Sequence, residues 1–317
     1  MMQQSDILIA VIGVTGAGKT TFVSKAAART DMRISSSLSS CVSNDLETCG
    51  SNTDLASGTQ VIQTARLQIN NKWVTLIDTP GFDDTDRTDA DILKLIADYL
   101  AETYQNDMLL TGVIMLQPIN ANRVLGTERR RTRLFEKVCG PNAYGNIVIA
   151  TTMWSDLESE AIGMERMKER VREVSFWGAM VDKGAQVVKH DNTPRSARNI
   201  IQMLINKRAV PLQMQQELVQ NGGMIGQTSA GRQLDQDLGE VSARFQRDID
   251  ELKRERVQNA EEMRELREQL EKAKREREDL RKSKVSVRMF RLPTLFPLRL
   301  VRRLLSARCS LLGFQLS

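Results

Sequence analysis

The residues best placed to do chemistry are Gly13-Val14-Thr15-Gly16-Ala17-Gly18-Lys19-Thr20, which fit the spacing G-x-x-x-x-G-K-[ST] of a phosphate-binding loop. Small residues let successive backbone N–H groups curl around a polyphosphate, and a helix starting there adds its positive end. Lys19 is placed to reach the β- and γ-phosphates, the Thr20 hydroxyl to ligate Mg²⁺, and Thr21 to continue the phosphate contacts. A second cluster, Asp78-Thr79-Pro80-Gly81, has the form D-x-x-G. Asp78 would hold Mg²⁺, mostly through water, and the Gly81 amide would meet the γ-phosphate. D-x-x-G is common by chance and gains its meaning from the loop at 13–20.

These groups need strands and helices to hold them. Ile7–Ile12 is a continuous apolar run, read as a buried strand leading into the loop, and Thr21–Arg29 as the helix leaving it. Ile34–Gly58 is rich in Ser, Asn and Asp without period, a long loop of the kind that is functional, here a first switch. Gln60–Ile69 alternates as a half-buried strand, and Trp73–Ile77 is a β-branched strand running into Asp78. Phe82–Thr88 lacks period and is expected to be a second switch. Ala90–Tyr104 is an amphipathic helix, Leu109–Leu116 a strand, Arg129–Val138 a helix and Asn146–Thr151 a buried strand. Glu158–Val174 is expected to be helical with Met164, Met167, Val171 and Val174 facing the core, and Ser196–Leu204 to be the last helix of the domain. Alternating strands and helices predict an α/β fold: a P-loop NTPase with a mostly parallel sheet between helices. The run Arg129, Arg130, Arg131 and Arg133 is read as a solvated helix face, with a partner or nucleotide-sensing role as the alternative.

The formal charge of the 317 residues is +5. Acidic residues stop at Asp279 while Arg288, Arg291, Arg299, Arg302, Arg303 and Arg308 continue, so the excess is C-terminal and no nucleic-acid partner is expected. Cys41, Cys49, Cys139 and Cys309 show no metal spacing, and His190 is the sole histidine, which argues against a histidine-based metal site or triad. Scattered cysteines, no signal-like start and no long apolar run lead to the expectation of a cytoplasmic protein, with peripheral membrane contact as an option.

The last third changes texture. Residues 209–232 are Gln- and Gly-rich and are expected to be a linker between a nucleotide-binding domain at 5–208 and a coiled coil at 233–284. One heptad seam is Leu238, Phe245, Leu252, Asn259, Leu266, Ala273 and Leu280; its companion holds Ile249, Arg256, Met263, Leu270 and Arg277. The alternative is a single solvated helix held by i,i+4 ion pairs. Residues 285–317 interleave leucine and phenylalanine with arginine. That stretch reads either as a basic amphipathic tail for an anionic membrane or as the product of a retained intron or shifted frame.

The stretches GVTGAGKTTF, LIDTPGFDDTDR with DADILKLIADYL, and TTMW resemble the immunity-associated (IAN/GIMAP-type) branch of septin-like P-loop GTPases, in particular fungal "G domain-containing" members. The resemblance covers about residues 6 to 207. It implies a domain that binds GTP or GDP with Mg²⁺, cycles as a switch, and self-associates through the nucleotide face or the coiled coil. It assigns Gly13, Thr15, Gly16, Ala17, Gly18, Lys19 and Thr20 to the phosphate loop, and Asp78 and Gly81 to γ-phosphate sensing. Thr59 becomes the preferred switch-one Mg²⁺ ligand, with Thr53 as runner-up because Gly50–Gly58 intervenes. It places Thr152 and Trp154 in the base-reading loop and Ser196 and Ala197 in the final base contact.

The base-reading motif T-x-x-D needs Asp at 155, where this chain has Ser155-Asp156; Asp156 substitutes if the loop shifts by one residue. Phe82 follows Gly81 where many small GTPases place a glutamine that orients water, so hydrolysis should be slow. The expected function is a GTP-binding switch with slow Mg²⁺-dependent hydrolysis. The alternatives are a nucleotide-binding scaffold with negligible turnover and an ATPase.

Overall fold

A computed structural model describes residues 7–27, 33–35, 62–82, 87–106, 108–121, 126–254 and 260–287. Expectations that fall elsewhere lie outside the described residues: Thr53 and Thr59, nearly all of the first switch, the centre of the second (83–86), Asn259, and the tail from 288.

Seven strands form one sheet: β1 (Ile7–Gly13), β2 (Arg33–Ser35), β3 (Gln63–Ile69), β4 (Lys72–Asp78), β5 (Leu110–Pro118), β6 (Ile147–Thr152) and β7 (Gln186–Lys189). Their order is β2-β3-β4-β1-β5-β6-β7. The neighbours from β4 through β7 all pair in parallel, while β2–β3 and β3–β4 are antiparallel. The antiparallel edge follows from a two-residue turn: Asn70 and Asn71 both take positive φ (51° and 61°), the handedness that lets adjacent strands reverse without splaying. β7 escapes notice in the sequence because it has four residues and a sheet edge, too short to show a period.

The sheet is covered on both faces. Side chains alternate along β1, so Ile9 and Val11 meet α1 (Lys19–Ala27) and α6 (Pro194–Gln202) through Phe22, Ala26, Ala197 and Ile201. Leu8, Ala10 and Ile12 face the opposite layer, built from α2 (Asp89–Gln105) and α3 (Gly126–Cys139). α2 opens with a capping box in which the Thr88 hydroxyl accepts from Asp91 N, and the Asp91 carboxylate accepts from Thr88 N. The second switch region therefore runs into a firmly capped helix.

α4 (Glu160–Arg172) keeps the expected core face in part. Met167 and Val171 are half-buried and pack against the core, Met164 is half-buried, and Val174 is 67% exposed. The helix ends at Arg172, and a π-helical turn, Val174–Gly178, rotates Val174 outward while burying Phe176 and Trp177; α5 (Ala179–Val181) follows. On α4 the fully buried positions are Gly163 and Arg170. The arginine run on α3 is half-buried rather than a solvated face: Arg129 pairs with Glu173, and Arg133 lies 3.6 Å from Asp237.

The stretch 209–232 is not a linker, and α6 does not close the fold. α7 (Gln213–Gln220) packs on α2, with Leu212, Met214 and Leu218 buried and Gln215 Nε2 donating to Leu100 O and Thr103 Oγ1. The glycine pair that suggested flexibility stops this helix: Gly222 and Gly223 take φ of 60° and 86°, and Gly223 N donates to Leu218 O at 2.7 Å. A Cβ on Gly223 would lie 2.2 Å from Val285 O. Composition marks glycine as permissive; only packing shows it used for close approach.

The heptad region is helical, but it folds back on itself. α8 (Ser229–Arg254) and α9 (Ala260–Lys282) pack together as an antiparallel hairpin, and Asp235 near the start of α8 takes Arg277 (2.8 Å) and Arg281 (2.7 Å) near the end of α9. These partners hold the Asp235 carboxyl at about 2. The seam residues Leu238, Ile249, Leu270, Ala273 and Leu280 are buried within this chain, while Phe245, Leu252, Met263 and Leu266 are half-buried. The hairpin rests on α3 and α2, and Val285 N donates to Gly223 O just beyond α9. Among the described residues no helix is long and apolar enough to cross a membrane.

Because α7 is core rather than connector, Met214→Ala and Leu218→Ala should each cost about 2–5 kcal/mol. Urea denaturation of the full chain reads this as a lower midpoint; a neutral result would return the segment to a linker role.

Candidate functional site

The phosphate loop follows β1 at the carboxyl edge of the sheet. Gly13 sits where a Cβ would lie 2.5 Å from Leu116 O, so β1 and β5 approach closely only with glycine there. Gly16 and Gly18 take φ of 78° and 91° with open space around them; their requirement is backbone handedness, not room. Thr21 is exposed beside the loop, and Ala17 is buried beneath it. Lys19 opens α1 and is 7% exposed, its Nζ donating to Gly13 O (3.2 Å) and Val14 O (3.0 Å). The ammonium thus lies along the loop it would share with a polyphosphate.

The second motif closes on the first. Thr15 N donates to Phe82 O at 2.8 Å, Val14 and Phe82 form a parallel bridge, and the Thr15 hydroxyl reaches Gly81 O at 3.3 Å. The Thr79 hydroxyl donates to Val11 O at 2.9 Å. A Cβ on Gly81 would lie 2.5 Å from Thr15 N and 2.6 Å from Lys19 Nζ, so no larger residue fits. Asp78, at the end of β4, is 2% exposed, and its Oδ2 accepts from the Thr20 hydroxyl at 2.7 Å. Its Oδ1 is buried without a hydrogen-bond partner among the described residues.

Burial pushes the Asp78 carboxyl above its ordinary range, opposed by the Thr20 hydroxyl and by Lys19. An orphaned carboxylate oxygen beside a threonine hydroxyl suits a hard cation. No group of three or more His, Cys, Asp or Glu among the described residues could hold a metal ion alone. Two protein oxygens suffice for magnesium, which keeps waters and takes phosphate oxygens. The residues present therefore fit Mg²⁺, with Thr20 and Asp78 as its holders.

On the base side the Thr152 hydroxyl donates to Ala17 O at 3.0 Å, joining the end of β6 to the phosphate loop. Met153 takes φ 59°, and a 3₁₀ turn, Trp154–Asp156, follows. Trp154 is half-buried and held on several sides. Its indole N–H donates to Thr151 O (2.9 Å), its ring packs where a Cβ on Gly163 would be 2.4 Å away, and Lys189 Nζ stands 4.8 Å from the ring centroid. Asp156 is exposed, with Oδ2 accepting from Asn120 Nδ2 (2.9 Å) and Oδ1 from the Ser155 hydroxyl (3.1 Å). Ala197 is fully buried in the core, so only its backbone remains for a ligand.

The Ser196 hydroxyl lies 3.0 Å from His190 Nδ1 and accepts from Asp191 N. His190 is buried edge-on against Phe22, and burial lowers its pKa, so the imidazole is neutral near pH 7. The lone histidine is hydrogen-bonded to Ser196.

Several supporting residues had no assigned role in the sequence. Arg170, 2% exposed, donates to Pro118 O and Ala121 O, approaches Glu128 at 3.6 Å and lies over the Trp177 ring. Glu128 also accepts from Gln117, at the end of β5. Arg166 donates to Ile119 O and Asn120 O. One signal was present: Arg170 falls at helical spacing from Met167, on the stripe read as apolar, and a charge on such a stripe needs partners.

Sheet order, loop and their junction are those of a P-loop nucleoside-triphosphatase fold. No family model matches the sequence, and no curated protein matches it. Among solved structures, Toc33 from Arabidopsis thaliana, in complex with GDP and Mg²⁺, is similar over 64% of this chain and 86% of its own, at 13% identity and a TM-score of 0.43. Translation elongation factor SelB from Methanococcus maripaludis, in complex with GppNHp, is similar over 66% of this chain and 36% of its own, at 13% identity and a TM-score of 0.39. Era from Aquifex aeolicus, bound to GDP·AlF4⁻, is similar over 64% and 57%, at 9% identity and a TM-score of 0.41.

The raised Asp78 carboxyl sets the sign of a stability prediction. Its ionised form weakens the nucleotide-free fold, so stability rises as pH falls through the raised value. Asp78→Asn should raise the nucleotide-free melting temperature by about 2–4 °C and abolish the Mg²⁺ dependence of nucleotide affinity. Calorimetry paired with nucleotide titration checks both; a lower melting temperature would contradict the account of the buried charge.

Proposed function

We propose that this chain binds GTP with Mg²⁺ and acts as a switch that hydrolyses it slowly to GDP and phosphate. The observation that carries the reading is the Thr20 hydroxyl on the buried Asp78 carboxylate at 2.7 Å, with Lys19 and the close-packed Gly81 on the same loop. The loop amides and Lys19 bind the phosphates, and Lys19 exchanges the Gly13 and Val14 carbonyls for phosphate oxygens. Thr20 and Asp78 hold magnesium, which when bound neutralises charge on the β- and γ-phosphates. Thr59, or Thr53 in its place, completes that shell in the reading taken from the family resemblance. The Gly81 amide senses the γ-phosphate.

Slow turnover is supported by Phe82. Its ring is 4% exposed and belongs to the core, and it has no polar group with which to orient water. The same observation favours the second reading, a nucleotide-dependent scaffold with negligible turnover. Guanine preference rests on Asp156 standing in for a carboxylate at 155; an ATPase is the outcome if it does not.

The helical hairpin is a candidate responder to nucleotide state. Glu276 on α9 accepts from Ala90 N at the start of α2, three residues beyond Arg87, where the second switch rejoins the described structure. Self-association is proposed through the nucleotide face, since five residues of the heptad seams are already buried within the chain. Contact of the arginine- and leucine-rich tail with an anionic membrane is proposed from its composition alone.

Titration with GTP, GDP, ATP and XTP tests the reading. Lys19→Ala with Asp78→Ala should weaken guanine nucleotide binding by at least about 100-fold, the loss of two charged contacts. Undiminished affinity in that double variant would sink the proposal. Single-turnover phosphate release then separates the slow GTPase from the scaffold.

A further inference from the structure

The guanine reading meets a gap at Ser155, where a hydroxyl stands in place of the expected carboxylate. The structure surrounds the next residue with an unusual support. β5 ends at Pro118, and the four carbonyls from Pro118 to Ala121 all accept hydrogen bonds from two arginines one turn apart on α4. Arg170 Nη1 donates to Pro118 O (3.0 Å) and its Nη2 to Ala121 O (3.4 Å). Arg166 Nη1 donates to Ile119 O (3.0 Å) and Asn120 O (2.6 Å). Placing a guanidinium at 2% exposure is costly unless its donors are used. Here they add to a loop already tied by Ile119, which is buried in the core and whose N–H donates to Thr152 O at 3.0 Å.

That loop presents Asn120, whose Nδ2 donates to Asp156 Oδ2 at 2.9 Å. Ser155 takes the other oxygen from its own side. The turn carrying Asp156 begins at Thr152, tied to Ala17 of the phosphate loop. The carboxylate is therefore fixed from two directions on the rim where a nucleotide would lie. An ionised carboxylate offers about four acceptor sites, and two are used, which leaves a pair for neighbouring donors. Guanine presents N1–H and N2–H₂ side by side; adenine offers an acceptor at N1 and is disfavoured there.

Resting on the guanine-nucleotide reading above, we propose that Asn120 is a positioning residue that holds Asp156 as the base reader, carried on the loop that Arg166 and Arg170 fix. The carboxylate missing at 155 is thereby replaced one residue later, with its orientation imposed from β5 instead of by its own turn. Selectivity for guanine over adenine depends on both Asn120 and Asp156, while affinity for the triphosphate does not.

The test displaces a fluorescent guanine nucleotide from the full chain with GTP, ITP and ATP. Asn120 and Asp156 are both exposed, so alanine at either leaves the core untouched. Asn120→Ala and Asp156→Ala should each weaken GTP about tenfold, the scale of one charge-assisted hydrogen bond, and leave ATP unchanged. ITP lacks the 2-amino group and should lose less than GTP in both variants. An equal loss for all three nucleotides marks a merely structural tie and overturns the proposal. So does a loss in Asp156→Ala with none in Asn120→Ala, which keeps Asp156 as reader without its positioner. Unchanged GTP-to-ATP ratios in both variants, with Lys19→Ala still abolishing binding, overturn it and leave the triphosphate site standing. Wild-type protein that holds no guanine nucleotide overturns the proposal together with the reading beneath it.

Discussion

A carboxylate buried at the end of a central strand is the constraint on which the rest depends. Asp78 is removed from water with one oxygen on Thr20 and the other without a partner among the described residues. A fold that sought only stability would place an apolar or amide side chain there, because desolvating a charge costs several kcal/mol unless its lone pairs are satisfied. Part of the cost is offset by the Thr20 hydroxyl and the Lys19 ammonium, and the cation proposed above would offset more of it. Strain of this kind belongs to a site poised for a ligand rather than to a resting core.

That constraint explains the glycines and the lacing between the two motifs. Gly13 brings β1 against β5, Gly16 and Gly18 supply left-handed backbone, and Gly81 lets the second motif press against Thr15 and Lys19. The Thr15–Phe82 hydrogen bond and the Val14–Phe82 bridge make the two loops one object. The Phe82 ring anchors that object in the core. Beyond it, α2 carries a tight capping box and takes Glu276 of the hairpin at Ala90 N, so this helix also touches the C-terminal arm.

The C-terminal third is held by the same economy of packing. α7 and the hairpin supply apolar side chains to the layer built on α2 and α3, and the Asp235–Arg277–Arg281 cluster locks the two ends of the hairpin together. Arg277, which would have been an awkward charge in a dimer seam, finds its carboxylate in the same chain. A heptad specifies a stripe that must be buried; it does not specify whose stripe buries it.

The phosphate loop, the D-x-x-G strand end and, apart from the three-residue β2 that fell at the start of the expected loop, the run of strands and helices through residue 152 were legible in the sequence, because each rests on local chemistry: glycine handedness, apolar period and a fixed spacing of charged groups. Tertiary structure alone decided the rest. Gly222-Gly223 stop α7 by their left-handed backbone, but that Gly223 can carry no side chain is set by Val285 O, 2.2 Å from where a Cβ would be and 62 residues away, a contact no local pattern encodes. The antiparallel hairpin, the outward turn of Val174 and the withdrawal of Trp154 onto Gly163 depend likewise on which surfaces meet. Arg166 and Arg170 could be seen as helix residues, yet the four carbonyls they hold come from a strand end nearly fifty residues earlier. Propensity and period act over a few residues, whereas burial and long-range hydrogen bonds are properties of the assembled fold.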